Sequence, residues 1–190
     1  MPKTFTACPT AIVEAPIEIV WGLLTDFAGW GNFYDVRVLS VEPAGPAAVG
    51  QRMRGESGPR WLHLGVWFEF TRIEHHRKLE LDIGMPWGIT VHEDLDCLPV
   101  GGGDSERLCR VNYHCHFSFP ASWRGTLLRR VLSRGLTTGP ADSLSRLKRA
   151  AERKYAEQKQ ADQIGPDGRQ IMNSSPGSAH PQRGVQTSES

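Results

Sequence analysis

Apolar and polar positions alternate along the middle of the chain and fall into a helical rhythm toward both ends. Alternation with a period of two marks half-buried strands. It predicts strands over residues 36–42, 51–56, 61–74, 78–84, 89–98 and 107–119, after a first strand at 4–15. The separators EPAGPAAVG, SGP, HHR, MPWG and VGGGDSE carry the Gly and Pro that punctuate strands. Long strands with short connections predict an antiparallel meander. After the first strand, Pro16 stands where Pro suits a helix start, and Ile17, Val20, Trp21 and Leu24 follow at helical spacing. Asp26 is placed to cap a second short turn, FAGWGNFY. Beyond residue 122 the helical period returns. Trp123, Leu127, Leu128, Val131 and Leu132 mark one segment; Ala141, Leu144, Leu147, Ala151 and Tyr155 mark another. Gly139-Pro140 is expected to separate them, because Pro inside a helix kinks or ends it.

One residue breaks the alternation. Between residues 88 and 99, Ile89, Val91, Leu95 and Cys97 share one side of the strand, and Thr90, His92, Asp94 and Asp96 share the other. Glu93 falls on the apolar side. Its carboxylate is therefore predicted to point inward, which is costly unless it is paired, hydrogen-bonded or wet. In the last strand Cys109, Val111, Tyr113, Cys115, Phe117 and Phe119 form the inner phase, so Tyr113 brings a hydroxyl into an apolar wall. Leu62, Leu64, Val66, Phe68 and Phe70 face inward on an earlier strand, and Leu79, Leu81 and Ile83 on the next. The residues leave three readings of Glu93 open: a general acid/base, an anchor for a polar ligand group, or the partner of a buried Arg52 or Arg54. Whether Glu93 and Tyr113 stand opposite each other depends on strand register.

Composition narrows the picture. From about Lys159 the chain turns to Gly, Pro, Ser and Gln without aromatics, a composition that cannot offset ordering entropy. The expected organisation is one domain over residues 4–158 and a disordered tail over 159–190. A net charge of +1 offers no large field to recruit nucleic acid. Arg146, Lys148, Arg149, Arg153 and Lys154 are expected in the later turns of the C-terminal helix, where cations suit the negative end of the helix dipole. No apolar run is long enough to span a membrane, and MPKTFTACP carries no apolar leader core. A cytoplasmic protein with reduced thiols is expected. His114-Cys115-His116 is not a metal motif, because on a strand the two His face away from Cys115. Gly101-Gly102-Gly103 lacks the Lys and spacing of a phosphate loop. No metal and no cofactor are expected.

The order of elements is itself informative. The opening AIVEAPIEIVWGLLTDFAGWGNFY, the middle FEFTRIEHHRKLEL, the turn DCLPVGGG and the closing SLSRLKRAAER resemble the SRPBCC superfamily, the START-like or polyketide cyclase/dehydrase-like proteins. The likeness covers about residues 8–155. It implies an α+β helix-grip fold: a curved seven-stranded antiparallel sheet wrapped around a long C-terminal helix, with two short helices after the first strand. It also implies a hydrophobic cavity between sheet and helix. The expected function is binding of a hydrophobic, lipid- or polyketide-like small molecule, with Val66, Phe68, Phe70, Leu81, Val91, Leu95, Val111, Cys115 and Phe117 as its contacts. The alternative is a cofactor-independent cyclase, dehydratase or isomerase in which Glu93 moves protons with help from Tyr113. Fold alone does not separate the two.

Overall fold

Pro9 divides the first predicted strand. A proline has no N–H to give to a ladder, and here its carbonyl instead accepts from Tyr113 N at 2.9 Å. The segment becomes β1 (Lys3–Ala7) and β2 (Thr10–Val13), which pair successively along the same neighbouring strand, β8 (Leu108–Phe119). The computed structural model describes residues 3–58, 63–101 and 108–164. The other strands are β3 (Arg37–Glu42), β4 (Arg52–Ser57), β5 (Leu64–Glu74), β6 (Lys78–Met85) and β7 (Ile89–Val100). The predicted start of β5 at 61–62, with Leu62, lies outside the described residues. All strands pair antiparallel in the order β1-β8-β7-β6-β5-β4-β3. Among the described residues the sheet counts eight strands where seven are predicted, because of the break at Pro9. Register shifts at Val38/Ser40 and Phe70/Arg72 are irregularities of the kind that bend a sheet.

Helix α1 (Ile17–Thr25) buries Ile19, Val20, Trp21 and Leu24. Asp26 then caps a 3₁₀ turn, Phe27–Asn32, by accepting from Gly29 N at 3.2 Å. The tight turn drives Trp30 inward, where its indole N–H donates to Leu24 O at 3.0 Å. Phe27 stacks on Phe70 with ring centroids 3.5 Å apart. Tyr34 N bonds back to Trp30 O at 2.8 Å, which fixes the exit of the turn. This packing carries Tyr34 to the concave face of the sheet.

The C-terminal helix corrects two expectations. Helix α2 (Trp123–Ile164) runs through Gly139-Pro140 without a break. Proline removes one backbone bond and crowds the preceding turn. Burial of Leu144, Leu147 and Ala151 holds the following turns in place. Apolar burial of about 1.5–3 kcal/mol for each large side chain is enough to offset the roughly 3 kcal/mol of an interior proline. The basic residues 146–154 also lie well inside α2 and not in its last turn, so they do not serve the dipole. Lys148 instead donates to Ile12 O at 2.6 Å and pairs with Glu152. Glu152 in turn accepts from Glu14 N at 3.0 Å, which ties α2 to β2. The compact unit covers Met1–Glu157. The helix continues to Ile164, past the predicted start of the tail; the rest of that tail lies outside the described residues.

Candidate active site

Sheet and helix enclose a cavity of about 460 Å³, within the usual range of about 300–1,000 Å³ for small-molecule sites. Val66, Phe68, Val91, Phe117, Glu93 and Tyr113 lie on its wall, as expected from the alternation. Phe70, Leu81, Val111 and Cys115 share the inner face but pack into the core away from this space. Leu95 borders a separate void of about 10 Å³, hardly the volume of one water. Thr138, Gly139, Pro140 and Ser143 of α2 complete the wall. The dipeptide expected to end the helix thus faces the cavity.

Glu93 is 2% exposed. It stands opposite Cys115 in the β7–β8 ladder, while Tyr113 stands opposite Leu95. Glu93 and Tyr113 are therefore diagonal neighbours on one face, not a direct pair. Between them comes Tyr34, a residue the alternation did not single out as part of the site. Its hydroxyl donates to Glu93 Oε1 at 2.6 Å, and the Tyr113 hydroxyl donates to the Tyr34 oxygen at 3.2 Å. Among the described residues, Glu93 Oε2 has no hydrogen-bond partner although it is buried.

Burial dominates the electrostatics. It pushes the Glu93 carboxyl from 4.5 up to about 7, against the opposing pull of the Tyr34 hydrogen bond, of the nearby Tyr113 hydroxyl and Cys115 thiol, and of His92. The same enclosure, and then the Glu93 charge, raise both tyrosines well above the usual phenol value. Tyr34 is only partly buried as a whole residue; its enclosed hydroxyl is what feels the cavity. The ion-pair reading of Glu93 fails. Arg52 bonds Glu69 at 3.2 Å, Arg54 is exposed, and among the described residues no cation stands within ion-pair distance of Glu93.

The residues between the strands divide. Trp30 and Phe33 are ordinary core residues, whereas Met85, Pro86 and Trp87 reach the cavity. Trp87 adopts a φ of 65° and is 55% exposed, so it stands at the opening with Asp35, Asp142 and Arg146. On the outer sheet face His116 meets Thr6 at 3.1 Å and His92 meets Asp82 at 2.8 Å. Among the described residues no cluster suited to a metal ion occurs, and no helix is long and apolar enough to cross a membrane.

Comparison with known proteins agrees with this architecture. No curated protein matches the chain. A protein from Thermus thermophilus superposes with a TM-score of 0.62 at 18% identity, covering 79% of this chain and 99% of that one. A norcoclaurine synthase point mutant from Thalictrum flavum, in complex with a transition-state analogue, gives 0.60 at 14% identity, over 84% and 98%. The same enzyme with dopamine and hydroxybenzaldehyde gives 0.56 at 12% identity, over 82% and 88%. At such identities the likeness establishes the helix-grip fold. The family described as polyketide cyclase / dehydrase and lipid transport matches residues 7–152, and hydrophobic ligand binding is the general role that follows. With most of the folded chain matched, this protein belongs to that family, within the SRPBCC superfamily.

Proposed function

We propose that residues 4–158 take a hydrophobic small molecule into the cavity and hold its polar end at Glu93, Tyr34 and Tyr113. The observation that carries this reading is a buried carboxylate on the wall of a mostly apolar cavity, Glu93, whose Oε2 has no hydrogen-bond partner among the described residues. A buried charged acceptor without a partner is costly, and a ligand's polar group removes that cost. Val66, Phe68, Val91 and Phe117 supply the apolar contact around it. Native mass spectrometry of the freshly expressed chain tests the proposal. A co-purified apolar molecule, lost when Val91 is enlarged to Phe, is the expected result. An empty protein that also fails to take up small naphthalene probes would refute it.

A second reading rests on the enclosure of the carboxyl, whose burial pushes it up to about 7. A group that is half protonated at neutrality can both take and return a proton. Such a group suits a cyclase, dehydratase or isomerase acting on a chain folded within the cavity, where proximity supplies much of the acceleration. In this reading Glu93 is the acid/base and Tyr113, acting through Tyr34, tunes it. Loss of turnover in Glu93→Gln at saturating substrate supports this role; unchanged turnover would exclude it.

A further inference from the structure

We infer that the polar end of the ligand carries a hydrogen-bond donor, a hydroxyl or an amine on an apolar body, and that Glu93 Oε2 accepts from it. The inference rests on the binding role proposed above and specifies the chemistry of the ligand.

It follows from counting protons. Each phenol has one proton to donate. Tyr34 uses its proton on Glu93 Oε1, and Tyr113 uses its own on the Tyr34 oxygen. Neither proton is left over for a ligand. An ionised carboxylate offers only lone pairs. The inner pole of the cavity is thus left with acceptors: Glu93 Oε2 and the remaining lone pairs of the two phenols. The other groups near Glu93 do not reverse this count. Cys115, across the ladder, is a weak donor. His92 is on the outer face, bonded to Asp82. Ser143 on α2 can serve in either sense, and Arg146 is exposed. A ligand ending in an ether, ketone or carboxylate would bring lone pairs against lone pairs. One ending in O–H or N–H completes the bonding of Oε2.

A substitution can invert this preference. In Glu93→Gln the Tyr34 proton still needs an acceptor, so the amide carbonyl takes the Oε1 position. The amide NH₂ then occupies the place of Oε2. The pole changes from acceptor to donor while its shape is kept.

The test measures affinities of the full chain at pH 8 by calorimetry for two matched pairs. These are 2-naphthol against 2-methoxynaphthalene, and 2-naphthylmethylamine against 2-ethylnaphthalene. Each donor is expected to bind on the order of tenfold or more tighter than its donor-free counterpart, as a hydrogen bond to a charged acceptor implies. In Glu93→Gln the naphthol preference is expected to vanish or to pass to the ether. Equal binding of naphthol and its ether by the wild type would overturn the inference and leave the binding role standing. So would a donor preference that survives unchanged in Glu93→Gln. Failure of all four probes to bind would overturn the binding role and the inference together.

Discussion

Glu93→Gln should make the chain increasingly more stable than the wild type as pH rises from 4 to 8. Folding buries the carboxyl and raises its value from 4.5 to about 7, so the folded state holds this proton more tightly than the unfolded state does. The stability contributed by neutral Glu93 is complete below pH 4.5 and is lost as pH climbs through 7. At about 1.4 kcal/mol for each tenfold change in proton affinity, the rise from 4.5 to about 7 amounts to about 3 kcal/mol. Glutamine does not titrate and keeps the shape of the protonated acid. The difference in unfolding free energy, wild type minus variant, should therefore fall by about 3 kcal/mol between pH 4 and pH 8. Taking the difference cancels the carboxylates and histidines shared by both proteins. Both tyrosines stay neutral over this range, since their values are raised. Urea unfolding of both proteins across the range measures the quantity. A melting-temperature difference that widens by on the order of 10 °C is the thermal equivalent. A difference independent of pH would show that the folded carboxyl keeps its ordinary value. A difference of opposite slope would show that the charged form is stabilised by a cation, and the account of the site would fail.

Other consequences can be checked separately. Tyr34→Phe removes the strongest bond to the charged carboxylate, so ¹³C-detected titration should place Glu93 above the wild-type value of about 7; an unchanged midpoint would contradict the geometry. The same variant should lose about 1–3 kcal/mol in urea unfolding at pH 8, where the buried charge is left without a donor. Val91→Phe should block uptake of 2-naphthol while preserving a cooperative melt, because the added volume enters the cavity and not the packed core. Phe70→Ala should lose about 3–5 kcal/mol yet leave the naphthol affinity of the folded protein unchanged, because Phe70 stacks on Phe27 away from the cavity.

What could be read from the chain follows from which signals are local. Glu93 was legible because a period of two makes a single polar residue in the apolar phase conspicuous. Phase assigns a side chain to a face but not to a height along the strand. Phe70, Leu81, Val111 and Cys115 therefore share the face of Val66 and Phe117 yet lie beyond the cavity, where other parts of the fold fill the concave side. Tyr34 left no such signal. It follows a 3₁₀ turn in a stretch without periodicity, and its place is set by the packing of Trp30 and Phe27 against β5. Gly139-Pro140 misled for the opposite reason. Its local preference to end a helix is real, but Leu144, Leu147 and Ala151 secure the following turns, and tertiary burial outweighs it. The diagonal placement of Tyr113 relative to Glu93 belongs to register, which pairing decides and alternation does not.

The cost attached to Glu93 bears on which role it serves. About 3 kcal/mol at alkaline pH is a sizeable part of the roughly 5–15 kcal/mol that stabilises a typical domain. A purely structural bond to Tyr34 needs no charge, since a glutamine carbonyl accepts equally well. An anchor for a donor ligand requires the ionised form, so affinity for 2-naphthol should rise with pH and level off above about 7. An acid/base requires both forms, so turnover should depend on Glu93 being ionised in one step and protonated in the next. The two phenols lower the carboxyl without returning it to 4.5, which keeps both forms populated at neutrality. Measured on one preparation, a plateau in binding alongside a maximum in turnover near pH 7 would assign Glu93 to chemistry; a plateau in binding with no turnover would leave it as the anchor.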